Sequence, residues 1–438
     1  MAGGNFTTQN KVRPGVYVNF KSAPGALGAL GERGVVSLPM SLSWGQPKSI
    51  LTIEAGEDTM DKLGYPITHP SLLLVREALK RAKTLLLYRL NTGTKAVVTS
   101  GNLTATAKWG GVRGNDLSIV IQTNVDDEDK FDVKTLLSGD EVDSQTVADI
   151  SELVANDWID WSGTGSLATT AGAPLVGGAD GTVTNQDYLD YLAAVEIHDV
   201  NTIALPTTDN TAKAAFVSFC KRLRDDEGKK IQVVLENYPS ADYEGVISVK
   251  NGVILDDGTT LTAAQATAWV AGATAGAQVN ESLTYAAYDG AVDVATRYTN
   301  SQIIAALQAG EFVFTPNNGR AIVEQDINTL TTFTPDKGKS FSKNRVIRVL
   351  DGINNDFIRI FSEFYLGKVP NNDDGRNLLK GECVNYLNTL QGIAAIQNFD
   401  SQTDITVAAG NDVDAVVIDV AVQPVDSIEK IYMTVTVQ

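Results

Sequence analysis

The closing segment SIEKIYMTVTVQ sets a requirement that the rest of the chain has to meet. Ile431, Met433, Val435 and Val437 alternate with Lys430, Tyr432, Thr434 and Thr436, the period-2 pattern of a half-buried strand. A strand needs partners for its main-chain groups, yet Gln438 follows with no turn and no return strand. A second such run lies near the start, in KVRPGVYVNF, where Val12, Val16, Val18 and Phe20 alternate with Arg13, Tyr17 and Asn19. The residues before it, MAGGNFTTQN, are small and polar and read as a loose tail. Both strands have two options: a sheet of their own molecule, or a sheet of another.

With 438 residues, 43% of them hydrophobic, the chain has enough material for two to four domains with sizeable cores. HPSLLLVREALKRAKTLLLYRL reads as a helix followed by an apolar strand. From Thr94 to about Gly181 the character changes to alternating runs broken by Gly, Asn and Asp, with a short helix expected over SQTVADISELVAND. Helix–strand alternation then resumes through TNQDYLDYLAAVEIHDV, NTIALPTT, DNTAKAAFVSFCKRLRDDEG and KKIQVVLEN. Asp209 or Asn210 is placed to cap the third of these, and Gly228 to end it. DYEGVISVKNGVILDDG carries two hydrophobic runs around Asn251-Gly252, a hairpin signal, and a helix of small residues is expected over 262–278. Helical spacing returns in FSKNRVIRVLDGINNDFIRIFSEFYLGKV despite Gly352, and a second helix is expected from a cap at Asp374. DITVAAGNDVDAVVIDVAVQP reads as two strands about a Gly-Asn turn. Six segments result: an N-terminal arm (1–21), a first core α/β part (22–93), an inserted β-rich acidic domain (94–181), a second core part (182–330), a C-terminal domain (331–424) and a C-terminal arm strand (425–438).

Charge is uneven. Residues 121–200 hold 17 acids and two bases, net −15 of the −18 total. Phosphate contacts need clustered Lys and Arg, so no nucleic-acid partner is expected. The acidic block suits an exposed lobe that repels its neighbours. No signal peptide stands at the start, and the longest uncharged stretch, LTAAQATAWVAGATAGAQVN, is too weakly apolar for a bilayer span; no membrane insertion is expected.

Catalytic signatures are missing. His69 and His198 are the only histidines, each at a helix end, and Cys220 and Cys383 fall on apolar helix faces. SAPGALGALGERG spaces its glycines by three and lacks a following Gly-Lys-Ser/Thr, so it reads as a turn or linker. The acidic run at 126–129 lacks the spaced ligands of a calcium loop. No catalytic residue, cofactor or metal is therefore expected. Lys337, Lys339, Lys343, Arg345 and Arg348 form a run without an acid; its two readings are a solvated face and a docking surface for an acidic partner.

GVRGNDLSIVI, QTVADISELVANDWI, LVGGADG, GKKIQVVLEN, DYEGVISVKNGV, TAWVAGATAGAQVNESLTY, FSKNRVIRVLD and PVDSIEKIYMTVTV, in that order, resemble the tail sheath protein of contractile phage tails, most of all the sheaths of phage-like particles and tail-like bacteriocins of Gram-positive bacteria. The resemblance runs from about Arg13 to Gln438. It implies an α+β multidomain fold with α/β core domains near a helical axis, an inserted β-rich domain protruding outward, and extended terminal arms that complete sheets in neighbouring subunits. On that footing Gly15, Val16, Tyr17, Val18, Asn19 and Phe20 form one arm. Ile431, Tyr432, Met433, Thr434, Val435, Thr436 and Val437 form the other, and Lys343, Arg345 and Arg348 face a tail tube. The implied partners are further copies of the chain, a tail tube protein, and baseplate and tail terminator proteins. The implied setting is a virion tail or phage-tail-like particle assembled in the host bacterial cytoplasm. Two rivals are a type VI secretion sheath, which commonly splits between two proteins, and a cytosolic α/β enzyme.

Overall fold

Apolar runs without alternation need cover on both faces, and VVSLPM, TLLLYR, IQVVLE and VISV are four of them. A computed structural model, describing residues 2–4, 15–17 and 30–437, places all four in one seven-stranded sheet. Its strands are β1 (Val35–Met40), β2 (Ile50–Glu54), β3 (Thr84–Arg89), β4 (Thr202–Ala204), β5 (Gln232–Glu236), β6 (Val246–Val249) and β7 (Glu311–Phe312). They lie in the order β7-β6-β5-β4-β1-β3-β2, parallel except where β2 runs against β3. Alternation along β3 shows how both faces are used. Leu85 and Leu87 join one core with Val36, Leu38 and Trp269, while Leu86 and Tyr88 join the other with Tyr191 and Phe216.

Helices α1 (Leu73–Leu79), α2 (Asn185–Val195), α3 (Asn210–Lys221) and α4 (Ala263–Gly276) supply the cover. Residues of α1 and α4 fill the first core, those of α2 and α3 the second. Each of the last three begins at a capping side chain: Thr184, Asp209 and Thr262. These caps satisfy main-chain N–H groups that the first turn leaves open. The expected run of α3 to Gly228 holds only in part, because Arg222–Asp226 widens into a π turn before Gly228 at φ 76°.

Between β3 and β4 the chain departs through Gly93–Thr94 and returns through Ala179–Asp180, and these two segments pair. The intervening region forms a four-stranded and a three-stranded sheet around Leu103, Ile119, Val133, Trp158 and Leu175. Trp44 stacks on Trp158 at 5.2 Å. Arg89 is fully buried and donates to the carbonyls of Gly45 (2.7 Å) and Gly110 (2.6 Å). Burial without a carboxylate in contact pulls its pKa down to about 10.

Two local expectations fail, each to a tertiary contact. The helix expected over SQTVADISELVAND is absent: Asp140–Val147 is a strand paired along Phe131–Leu137, followed by a 3-10 turn, Ile150–Glu152, capped by Asp149. Cross-strand pairing and burial of Val147 outweigh local helical preference. The hairpin expected about Asn251-Gly252 is absent as well. β6 stays in the main sheet, and Val253–Leu255 pairs with Ala291–Val294 instead. The Asn251 amide is tied to both main-chain groups of Phe314, accepting from its N–H and donating to its carbonyl at 2.9 Å. A Cβ at Gly252 would stand 1.8 Å from the Leu261 carbonyl, so this glycine serves a close approach rather than a turn.

Among the described residues the chain separates into two compact units, 32–354 with 425 onward, and 355–424 with the described N-terminal residues to 31. The second unit contains α6 (Asp373–Gly392). Its cap is Asn372, which accepts from the Gly375 N–H at 2.8 Å, and not Asp374 as expected. Beyond it stand an antiparallel hairpin, Ile405–Ala409 with Val416–Val420, and the short pair Ile396–Gln397 with Gln423–Pro424. The boundary between the units falls within α5 (Asn344–Phe364), which continues through Gly352 as the spacing predicts.

The small-residue helix α4 depends on two glycines on one face. A Cβ at Gly272 would stand 2.1 Å from the Ala78 carbonyl, and one at Gly276 1.9 Å from that of Arg81. Gly272→Ala should therefore destabilise the fold by roughly 1–3 kcal/mol through overpacking, although alanine is the better helix former by about 1 kcal/mol. Urea unfolding of the two proteins checks the sign.

Candidate assembly site

The C-terminal segment is neither paired nor covered. Ile431, Tyr432, Met433, Val435 and Val437 are 80%, 90%, 80%, 76% and 92% exposed, and Thr434 and Thr436 are exposed with them. No strand among the described residues pairs with this segment, which is extended chain without sheet assignment. Four apolar side chains on one face of a segment with open main-chain edges form a surface suited to strand addition.

The root of that segment is fixed. The Glu429 carboxylate accepts from three side chains: the hydroxyl of Thr284 at 2.9 Å, the amide of Gln325 and the ammonium of Lys343. The Glu429 and Lys343 side chains are only 12% and 14% exposed. Thr284 is oriented in turn by accepting the Asp326 N–H at 3.0 Å. Asp326 is fully enclosed and accepts from the Asn344 amide (2.9 Å) and the Leu283 N–H (3.0 Å), with the Arg348 guanidinium 3.5 Å away. Nearby, Arg224 makes a two-pronged pair with Asp351 at 2.6 and 2.8 Å. Burial works against the Arg224 charge, but the Asp351 carboxylate outweighs it and raises the pKa.

This arrangement corrects the reading of the basic run. Lys343, Arg345 and Arg348 do not form an open basic face. Arg348 is 1% and Arg345 9% exposed, and Lys343 is engaged by Glu429. The acids that balance them come from distant parts of the chain: Glu429 for Lys343, Asp326 for Arg348, and Asp426 acting on Arg345. Sequence proximity alone concealed these partners. Sequence patterning also passed over Glu429, Thr284 and Gln325. One signal for Glu429 was available: it shares the parity of Ile431 and Met433, which puts an acid on the apolar face of the expected strand.

At the other end, Gly15–Tyr17 pairs in parallel with Ala2–Gly4, so part of the expected loose tail is a strand, a pairing that satisfies main-chain groups within one molecule. Val18, Asn19 and Phe20 lie outside the described residues. Further along, Asp356 accepts from the Gly31 N–H (2.9 and 3.1 Å) and the Tyr386 hydroxyl (2.7 Å).

The remaining sequence candidates serve packing and turns. His69 caps the turn Pro70–Leu72 through Nδ1 and stacks on Tyr65 at 4.2 Å. Cys220 and Cys383 are buried, which pushes each thiol up to about 12. Asp127 of the acidic run pairs with Lys130. Among the described residues no group of three or more His, Cys, Asp or Glu is arranged to hold a metal ion, and no helix is long and apolar enough to cross a membrane.

Comparison with known proteins agrees with this architecture. Four family models match in succession: the tail sheath protein Gp18 domain III N-terminal region over residues 33–90, the phage tail sheath protein beta-sandwich domain over 91–180, the central domain over 181–329, and the phage tail sheath C-terminal domain over 336–438. The phage-like element PBSX protein XkdK of Bacillus subtilis is 44% identical over the full length of both chains. The crystal structure of a sheath tail protein from Desulfitobacterium hafniense is 72% identical, covers 96% of this chain and 99% of its own, and superposes with a TM-score of 0.87. The anti-feeding prophage helical sheath in its contracted state shares the fold at 14% identity over 97% of this chain and 99% of its own, with a TM-score of 0.59. The chain belongs to the phage tail sheath family, the structural sheath proteins of contractile systems.

Burial alone would raise the Glu429 pKa; the hydrogen bonds from Lys343, Gln325 and Thr284 outweigh it and hold the carboxyl below the usual glutamate range. A carboxylate lowered on folding contributes stability that is fully present above its unfolded value. That stability is lost as pH falls through the folded value. The attachment of the C-terminal root should therefore survive the ordinary carboxylate range and open only in stronger acid. Side-chain carboxyl NMR of Glu429 should show a midpoint that moves upward in Lys343→Met.

Proposed function

We propose that this chain polymerises with further copies of itself into a helical sheath around a tail tube, and contracts to drive that tube through a bacterial envelope. The observation that carries the reading is the exposed alternating segment Ile431–Val437. Joined to an open sheet edge in a neighbouring copy, it would gain main-chain hydrogen bonds worth about 0.5–1.5 kcal/mol net each. Burial of Ile431, Met433, Val435 and Val437 would add roughly 1.5–3 kcal/mol per side chain, so burial contributes more than pairing. An acceptor is at hand in the hairpin Ile405–Ala409 with Val416–Val420, a two-stranded sheet with half-exposed faces. Two-stranded sheets are marginal by themselves, and added strands stabilise them. Gly15–Phe20 forms the second exchanged arm in this reading. A head-to-tail contact that does not close on itself grows into a helix.

Contraction on this view requires no catalysis and no cofactor. The extended lattice is a kinetic trap, released from a baseplate at one end and limited by a terminator at the other. Subunits turn as bodies while the arms stay paired. The 94–181 domain, with its acidic surplus, faces outward, where mutual repulsion costs least. Of the basic run, Lys339 is exposed, and any tube contact from this run falls to it, since Lys337 is paired with Glu244. The particle is a virion tail or phage-tail-like assembly built in the cytoplasm of a bacterial host.

Deletion of Ile431–Gln438 provides the test. The shortened chain should unfold at the same urea concentration as the full chain and give no filaments by light scattering or negative-stain microscopy. Sheaths of normal length from the shortened chain would overturn the reading.

A further inference from the structure

The basic residues at the start of α5 have a use that the assembly reading leaves open. Resting on that reading, we propose that Glu429 and Lys343 are a positioning pair. They seat the root of the C-terminal arm on its own subunit, so that the exchanged strand leaves from one fixed point and pivots after Lys430.

Burial around Glu429 is inverted. Ile428 and Ile431 are 86% and 80% exposed, while of the two charged residues between them Lys430 is exposed and Glu429 is enclosed at its side chain. Nonspecific collapse of a loose end buries its apolar residues and solvates its charges; here the chain does the reverse. The carboxylate receives three donors from two different stretches, Thr284 and the Gln325–Lys343 region. A carboxylate engaged by several charged and neutral donors holds one geometry. Through Thr284 and Asp326 this seat is continuous with the enclosed Asn344, Gln232 and Arg348 groups, so it is built into the packed interior. The charged groups facing it are Lys343, followed along the helix by Arg345, which senses Asp426. Beyond Lys430 no described side chain of the arm is covered. A fixed root followed by a free strand raises the fraction of arms already placed for a neighbour, and apparent affinity falls in proportion when that fraction falls.

The experiment uses the full chain with Glu429→Gln, Lys343→Met and the exchanged pair Lys343→Glu with Glu429→Lys. Spin labels at Ile428→Cys and Arg320→Cys, both exposed, report the arm root. One narrow distance distribution is expected in the parent protein, about twofold broader in each single variant and restored in the exchanged pair. The concentration at which filaments appear should rise about tenfold in the single variants and return in the exchanged pair, measured where urea unfolding shows every variant to be fully folded. Parent-like distances and filament onset in both single variants would overturn the positioning role. If those variants assemble normally while the Ile431–Gln438 deletion does not, the pair is excluded and the arm reading stands. A deletion that assembles normally overturns the arm reading, and the label distances then decide the positioning claim by themselves.

Discussion

Extended chain carries hydrogen-bonding groups along two edges, and an edge left open can take a further strand. In this sheath protein such an open edge lies along the C-terminal segment, where five large hydrophobic side chains stand in solvent. The arrangement is useful only if the segment is held at one end. In the positioning role proposed above the Glu429 carboxylate meets that need, with Thr284, Gln325 and Lys343 gathered around it. A covered charge next to an uncovered apolar strand divides the segment into an anchored root and a free tip.

The rest of the larger unit gives that anchor something firm to hold. A mostly parallel sheet filled on both faces leaves few alternative packings, and charges inside the unit are matched: Arg224 with Asp351, Arg348 with Asp326. Matched buried pairs add little net stability, but loss of one member is costly, which favours a single placement for the first turns of α5. The β-rich insertion is joined in a similar way. The Gly93–Thr94 and Ala179–Asp180 pair forms its neck, and Arg89 and the Trp44–Trp158 stack close its base.

Much of this was legible in the residues. The helices that begin near residues 184, 209 and 262, the cap at Asp209, the apolar runs of the sheet and the hairpin about Gly410-Asn411 all announce themselves through periodicity and local hydrogen bonding, which are properties of a few consecutive residues. The two failures were also local in origin. Asn251-Gly252 has the composition of a turn, but its amide and its missing Cβ are used by Phe314 and Leu261, residues 63 and about ten positions away. The segment at 144–157 has helical spacing, but Phe131–Leu137 claims its first part as a strand.

The assembly site divides along the same line. The alternation of Ile431, Met433, Val435 and Val437 was set by sequence alone, because side-chain parity in extended chain follows from backbone geometry. That Lys343, Arg345 and Arg348 form a seat within the subunit rather than a basic face was decided only by tertiary structure. Their balancing acids lie 86 positions away for Lys343 and 22 for Arg348, and Coulomb interaction depends on distance in space, which no spacing of letters records.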